Sequence, residues 1–280
     1  MVKILPDEYK IFVRYVYNIT GIHLDNSKTY LVETRLANML TELGFSSFSE
    51  LYYKATTDST KTIQRRIIDA ITTQETLFFR DASPFELLQF KVLPDLIDKR
   101  TRGKSGLLPV HIRIWSAACS TGQEIYSIGI VLKELLGGDM GKFRITLLGT
   151  DISDSAISRA SRGYYNKFEI ERGLAKDKLA KYFVQEKDEW KICDEIRAMA
   201  TFRKMNLMEN FMTLGRFDII FCRNVAIYFS EPDKVKLFNR FKDILEPDGY
   251  LIIGSTEFLT GISVPFKPQR YLRSVFYQIQ

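Results

Sequence analysis

The chain has 280 residues, of which 45% are hydrophobic and 26% are charged, and its formal net charge is +6. This composition is typical of a soluble globular protein that buries a large core, and it excludes the disordered and fibrous classes. No apolar run reaches the ~18 residues that a membrane-spanning helix needs, and the first residues lack a secretory signal pattern. We therefore expect a cytoplasmic protein that does not insert into a membrane.

Cysteine spacing and the distribution of basic residues argue against a disulfide framework, a zinc site and a nucleic-acid partner. Cys119, Cys193 and Cys222 are far apart and form neither a disulfide framework nor a zinc motif. We therefore expect a reducing compartment and no bound metal. The densest basic run, DKRTRGKSG (98–106), is short and predicts a solvated linker, with a nucleic-acid contact as the weaker alternative. We predict no nucleic-acid partner.

Residues 1–85 predict a small helical domain. DEYKIFVRYVYNITG has apolar residues at helical spacing and ends at Gly21. NSKTYLVETRLANMLTELG predicts a second helix, capped by Asn26 or Ser27 and ended by Gly44. SSFSELYYKATT and TKTIQRRIIDAITTQ predict two more helices.

Strands and helices alternate after a linker or junction predicted at 86–108. The strand-like runs are HIRIWSA, KFRITLLGTDIS, RFDIIFCRNVAIYF, GYLIIGST and a single last strand in QRYLRSVFYQI. Helix-like runs lie between them, such as SDSAISRASRG and EPDKVKLFNRFKDIL. This alternation predicts an α/β domain over 109–280, with a doubly wound parallel sheet covered by helices on both faces.

A small insertion interrupts that alternation. The runs KYFVQ, EWKIC and MATFRKM are short, strand-like and joined by charged turns. Hairpins of this size predict an antiparallel β-subdomain inserted at about 165–204.

A strand-turn-helix pattern in WSAACSTGQEIYS (115–127) predicts a ligand site. It holds one glycine, Gly122, whereas a dinucleotide loop needs three. Ligands of open parallel sheets bind at the carboxyl ends of the strands, where Asp151 ends the next strand and can accept hydrogen bonds from a ribose diol. An adenosine without a pyrophosphate, such as S-adenosylmethionine, fits this pattern. The alternative is a generic turn in which Glu124 only caps the helix.

Three further segments carry polar residues at the predicted site. They are AITTQETLFFRD (70–81), MNLMEN (205–210) and FCRNVAIYFS (221–230). Asn206 and Asn224 could read the edge of an adenine, or could simply form turns. Together the segments resemble the CheR family, the chemotaxis receptor glutamate O-methyltransferases. The resemblance covers nearly the whole chain, because SAACSTGQE-YS, GTDIS, NL and CRNV-IYF occur in the family's order and spacing.

The resemblance implies a Rossmann-like class I methyltransferase fold and a set of site residues. It implies S-adenosylmethionine as the cofactor and S-adenosylhomocysteine as the product. The residues that it places at the cofactor are Gln74, Thr76, Arg80, Ala117, Glu124, Asp151, Asn206, Leu207, Asn224 and Val225. It places Arg80 and Tyr228 beside the methyl-transfer site.

The sequence departs from the family pattern at several positions. Gln74 stands where Asn is common, GQEI replaces GEEP, and GSTE (254–257) replaces GHSE. None of these changes removes a carboxylate expected at the cofactor. They bear on substrate preference more than on activity.

The implied reaction is methyl transfer to glutamate side chains of methyl-accepting chemotaxis receptors. A glutamate has a pKa near ~4.3 and is ionised at neutral pH, so it needs no general base. His23 and His111 are the only histidines, and neither falls in the segments above. We therefore predict a direct displacement in which Arg80 and Tyr228 hold the acceptor carboxylate. The alternatives are that Arg80 closes over the cofactor and that Tyr228 packs under the sheet.

The resemblance also implies a partner, the cytoplasmic helical bundle of a receptor. Residues 1–80 hold ten Lys and Arg against nine Asp and Glu, so charge contributes weakly to this docking. Arg35 is the best candidate contact, with a merely solubilising role as the alternative. The turn VQEKDEWKI of the inserted subdomain has no glycine, which predicts no tether to a receptor C-terminal pentapeptide. Other functions left open are methylation of a different acceptor and a cofactor-binding regulator without turnover.

Overall fold

The computed structural model describes residues 2–102 and 109–280, and the first of these ranges begins with a helical domain. Its helices are α1 (Pro6–Thr20), α2 (Thr29–Leu43), α3 (Phe48–Thr57) and α4 (Thr62–Ile71). Their apolar faces meet in one core around Phe12, Leu36 and Phe48, which are fully buried. The helical prediction for this part of the chain is therefore confirmed.

The predicted helix ends are correct, but one predicted cap is wrong. Gly21 and Gly44 end α1 and α2 in the left-handed region, with φ of 77° and 70°. The Asp25 carboxylate accepts a hydrogen bond from the backbone N–H of Ser27 at 2.7 Å. Asp25, rather than Asn26 or Ser27, therefore caps this start, and a 3₁₀ turn (Asn26–Lys28) precedes α2.

In the described part of the chain, seven strands form the main sheet. They are β1 (Val110–Ala117), β2 (Phe143–Asp151), β6 (Ala200–Lys204), β7 (Phe217–Cys222), β8 (Leu245–Ile253), β9 (Phe266–Tyr271) and β10 (Ser274–Ile279). Their order is β6-β2-β1-β7-β8-β10-β9. The first five are parallel to one another, and β10 is antiparallel to both β8 and β9. The strand order reverses between β1 and β7, which confirms the doubly wound, Rossmann-like prediction.

Helices cover both faces of this sheet. They are α5 (Ser83–Leu87), α6 (Leu93–Thr101), α7 (Gln123–Leu136), α8 (Asp154–Arg162) and α12 (Glu231–Ile244). Residues of α5 to α7 pack in one apolar cluster, and residues of α12 pack in a second cluster around Trp115. Within residues 2–102 and 109–280, no helix combines the length and apolar character that crossing a membrane requires.

The stretch predicted as a linker or junction at 86–108 is helical over 86–101, in the part that the structure describes. A π-helical turn (Leu88–Val92) joins α5 to α6, so the chain is helical from Ser83 to Thr101. Leu88 and Leu96 of this stretch are fully buried in the core of the sheet domain. Residues 103–108 of the predicted linker lie outside the described residues. The boundary at residue 85 stays a prediction.

The inserted antiparallel sheet is present, but one predicted strand does not belong to it. It consists of β3 (Tyr164–Asn166), β4 (Phe183–Glu186) and β5 (Glu189–Ile192), in the order β3-β5-β4. The helices beside them are α9 (Lys167–Glu171), α10 (Lys176–Tyr182) and α11 (Asp194–Arg197). MATFRKM instead supplies β6, because Phe202 packs on Tyr126 and Gly149 at the edge of the main sheet.

The C-terminal prediction of a single strand is also wrong. QRYLRSVFYQI crosses a tight turn at Leu272, with φ of 52°, and therefore contributes to both β9 and β10.

We predict that Arg100→Met lowers the free energy of unfolding by about 2 kcal/mol. Arg100 donates to Asp218 and to Asp248 at 2.8 Å, and it thereby joins α6 to β7 and β8. Asp218 is only 8% exposed and would lose its cation. The control is Arg102→Met, whose ion pair with Asp98 is exposed and contributes less than ~1 kcal/mol. Equal effects of the two variants in urea unfolding would contradict this assignment.

Candidate active site

A cavity of about 560 Å³ lies at the carboxyl ends of β1, β2 and β7. Its walls come from both domains, and its volume is typical of small-molecule sites. The predicted site residues that line it are Gln74, Thr76, Arg80, Glu124, Asp151, Asn206, Leu207, Asn224, Val225 and Tyr228. Ala117 does not line it, because its side chain is buried in β1. The next residue, Ala118, faces the cavity instead.

The turn after β1 brings backbone groups to the cavity wall. Ala118 and Ser120 adopt positive φ of 65° and 50°, a conformation that is strained for residues with a side chain. Hydrogen bonds hold the turn in place, from Cys119 N–H to the Thr150 carbonyl at 2.8 Å and from the Ser120 hydroxyl to the Gln74 carbonyl at 3.1 Å. The turn is thus fixed to β2 on one side and to the segment after α4 on the other.

Asp151 ends β2 inside the cavity and fits the hydroxyl pair of a ribose. Its side chain is buried, and its two carboxylate oxygens accept from the N–H groups of Ser120 and Ser153 at 2.9 and 3.0 Å. Burial raises the pKa of Asp151, while these amide bonds act in the opposite direction. Each carboxylate oxygen keeps a further acceptor position, so the pair can receive two hydroxyl groups.

Glu124, at the start of α7, is held by two donors. Its oxygens accept from the Ser116 hydroxyl at 2.7 Å and from the Arg223 guanidinium at 2.8 Å. The same guanidinium also donates to the Arg80 carbonyl and to Asp81, both at 2.8 Å. We did not assign Arg223 from the sequence. The available signal was an arginine directly after the fully buried strand β7, because such a charge needs acidic partners.

Arg80 and Tyr228 both keep unused hydrogen-bond donors. The Arg80 guanidinium donates to the Glu75 carbonyl at 3.2 Å, and it forms no ion pair within residues 2–102 and 109–280. The half-buried Tyr228 has no partner for its hydroxyl among the described residues. A carboxylate entering the cavity could therefore receive hydrogen bonds from both side chains.

Glu257 fixes the loop that carries Asn224 and Tyr228. Its carboxylate accepts from the N–H groups of Asn224 at 2.7 Å, Gly254 at 2.8 Å and Ile227 at 3.3 Å. Asn224 adopts a φ of 58°, and a Cβ at Gly254 would lie 2.6 Å from a Glu257 oxygen. Glu257 belongs to GSTE (254–257), one of the departures from the family pattern. Its buried carboxylate orients this wall of the cavity.

Two predicted cofactor residues use their amides within the protein. The Asn206 amide donates to the Ile19 carbonyl at 3.1 Å, and its oxygen accepts from Met208 N–H at 2.9 Å. The Gln74 amide donates to the hydroxyls of Ser153 and Ser155. The contact of Asn206 with an adenine stays a prediction, and the Asn206 amide has one remaining N–H with which to make it.

The helical domain contributes two residues that we had placed elsewhere. His23, expected outside the site, lines the cavity because the chain after α1 folds over it, and its N–H donates to the Tyr228 carbonyl at 2.8 Å. Arg35, expected at a receptor surface, also lines the cavity and donates to the Ile71 carbonyl and the Thr73 hydroxyl. Both assignments depend on tertiary contacts that periodicity in the sequence does not reveal.

The strand order, together with an acidic residue that ends β2 in a cavity, defines a Rossmann-like fold with a ligand site where the strand order reverses. Residues 74–272 match the family described as "CheR methyltransferase, SAM binding domain", and residues 7–72 match "CheR methyltransferase, all-alpha domain". The chain therefore belongs to the CheR methyltransferase family. Its cofactor is S-adenosylmethionine.

Curated relatives match over nearly their full length. "Chemotaxis protein methyltransferase 1" of Vibrio cholerae is 36% identical over 100% of this chain and 99% of its own. "Chemotaxis protein methyltransferase" of Borreliella burgdorferi is 39% identical over 93% and 91% of the two chains. "Chemotaxis protein methyltransferase 1" of Pseudomonas aeruginosa is 36% identical over 91% of each.

We predict that Asp151→Asn weakens binding of S-adenosylhomocysteine at least ~10-fold, which corresponds to about 1.4 kcal/mol. An amide offers one acceptor oxygen where the carboxylate offers two, and it does not titrate. The wild-type protein should lose affinity as the pH falls through the pKa of Asp151, which burial raises above the usual value of 3.8. Affinity should be retained above that pKa, and Asp151→Asn should lack the step.

Calorimetric titrations across this pH range measure both effects. Asp188→Asn, in the exposed turn between β4 and β5, is the matched control and should bind as the wild type does. Unchanged affinity in Asp151→Asn would contradict the ribose assignment.

Proposed function

We propose that the protein transfers the methyl group of S-adenosylmethionine to glutamate side chains of chemotaxis receptors. The products are glutamyl methyl esters and S-adenosylhomocysteine. The observation that carries the proposal is a cavity wall on which Arg80 and Tyr228 keep free donors suited to a carboxylate. The printed names of the curated relatives support a receptor of the chemotaxis system, which we propose is met in the cytoplasm.

The proposed reaction requires the protein to orient its substrates, and it does not require proton transfer. When bound, S-adenosylmethionine would supply a sulfonium-bound methyl group to the acceptor oxygen, and the electrons of the broken C–S bond would stay on sulfur. An ionised glutamate is already nucleophilic, so no side chain has to remove a proton from it. We propose that Arg80 and Tyr228 orient that carboxylate, since orientation of the reacting groups is the main way in which such a site can accelerate the reaction.

His23 is the candidate general base for a different acceptor. An amine or a hydroxyl acceptor must lose a proton, and His23 is an exposed imidazole at the cavity wall. The hydrogen bond to the Tyr228 carbonyl comes from the backbone N–H of His23, and no described residue holds the imidazole ring by a hydrogen bond. A general base is normally held by a second group, so this arrangement favours the carboxylate acceptor.

The proposed absence of a receptor-tail tether stays a prediction. The turn between β4 and β5 has Lys187 at a φ of 56° where a glycine would allow closer approach. The outer edge of β4 is unpaired in the described residues, and Val184 on it is 57% exposed. Micromolar binding of a receptor C-terminal peptide to the protein would overturn the prediction.

The test is transfer of a labelled methyl group from S-adenosylmethionine to membranes that contain the host's own receptors. We predict a labelled receptor band that releases volatile methanol in alkali, because a carboxyl methyl ester is base-labile. Receptor in which the modified glutamates are replaced by alanine is the matched control and should take up no label. Base-stable label would indicate another acceptor, and cofactor binding without transfer would indicate a regulator; either result contradicts the proposal.

A further inference from the structure

Arg223 lies between the two halves of the site. Its side chain is 2% exposed and stands directly after β7. One guanidinium nitrogen donates to Glu124, which faces the cofactor side of the cavity. The other donates to the Arg80 carbonyl and to Asp81, next to the group proposed to hold the acceptor. One planar fork therefore spans both sides of the reaction.

The segment that Arg223 holds is strained. Phe79, Asp81 and Ala82 have φ of 52°, 68° and 38°, in a region that residues with side chains rarely adopt. Such a conformation persists only where its surroundings enforce it. The Asp81 carboxylate has two donors that do so, Arg223 at 2.8 Å and the Ser255 hydroxyl at 3.1 Å.

Arg223 provides the charged contact among these restraints. The Phe79 N–H donates to the Ser127 hydroxyl at 3.0 Å, which fixes one end of the segment to α7. Asp81 is 33% exposed, so a neutral donor alone competes with water for its carboxylate. The Arg80 carbonyl has Arg223 as its donor. Loss of the guanidinium would free the carbonyl and the carboxylate at once.

We propose that Arg223 is a positioning residue, which locks the strained Arg80–Asp81 turn to Glu124 and so aims the Arg80 guanidinium into the cavity. The identity of the acceptor in this inference rests on the proposed function, whereas the locking of the turn does not. A lysine cannot replace Arg223 fully, because one ammonium on a flexible chain lacks the fork that reaches both sides. Without Arg223, Glu124 keeps its hydrogen bond from the Ser116 hydroxyl. Loss of Arg223 should therefore affect cofactor binding less than it affects the orientation of the acceptor.

The experiment compares Arg223→Met and Arg223→Lys with the wild type in three readouts. These are hydrogen exchange of residues 77–85 by mass spectrometry, calorimetric Kd for S-adenosylhomocysteine, and kcat/KM for a receptor fragment. In Arg223→Met, exchange should rise at least ~10-fold because the turn opens more often. Kd should change less than ~5-fold and kcat/KM should fall about 10²-fold, the loss expected from a misplaced substrate-positioning group. Arg223→Lys should be intermediate in all three.

A matched control and a double-mutant cycle separate positioning from general stability. Arg113→Met removes a half-buried arginine that likewise donates to carbonyls, those of Leu214 and Arg216, and should leave all three readouts unchanged. Asp81→Asn should also reduce kcat/KM. Adding it to Arg223→Met should cost little more, because both changes release the same turn. If Arg223→Met fails to fold, Arg223→Lys and Asp81→Asn carry the test.

Three results would overturn the inference. The first is unchanged exchange of residues 77–85 in the Arg223 variants. The second is a loss of kcat/KM that only follows the change in Kd. The third is a loss of kcat/KM that multiplies independently with that of Asp81→Asn. If the wild type methylates no receptor, the proposed function fails. Exchange and Kd need no acceptor, so they still decide whether Arg223 locks the turn.

Discussion

The burial of carboxylates at the carboxyl edge of the sheet is the constraint on which the site depends. Asp151, Glu124 and Glu257 are each nearly buried there, and a buried charge must have partners. Each set of partners fixes a different wall. The amides around Asp151 fix the turn after β1, Arg223 on Glu124 fixes the Arg80 turn, and the amides on Glu257 fix the loop with Tyr228. The hydrogen bonds that stabilise these buried charges therefore also shape the cavity.

The helical domain completes the cavity from the other side. The Tyr17 hydroxyl donates to the buried carboxylate of Asp233 at 2.7 Å, at the start of α12. A side chain at Gly21 would meet Met208 at 2.3 Å, so the end of α1 sits directly on the loop after β6. The hydrogen bond from the His23 backbone N–H to the Tyr228 carbonyl continues this contact up to the side proposed for methyl transfer. A receptor that docks on this domain would therefore lie next to the groups proposed to orient its carboxylate.

The sequence predicts the sheet, its two covered faces and Asp151, because buried parallel strands leave clear apolar runs and Asp151 ends one of them. It does not predict that MATFRKM joins the main sheet, since a five-residue strand carries no sign of its partner. The charges at 98–102 do not predict that residues 86–101 are helical, with Leu88 and Leu96 facing the core. Arg223 and His23 reach the site through contacts more than 90 residues apart in sequence. No local pattern encodes such contacts.

The central claim is that the site orients an acceptor that is already ionised and removes no proton from it. The pH dependence of kcat, measured with saturating receptor and S-adenosylmethionine, tests this claim most directly. We predict a flat profile between about pH 6 and 9, the same in wild type and in His23→Asn, because a glutamate stays ionised throughout this range. A pH-dependent step within this range that disappears in His23→Asn would reveal a histidine base and contradict the account.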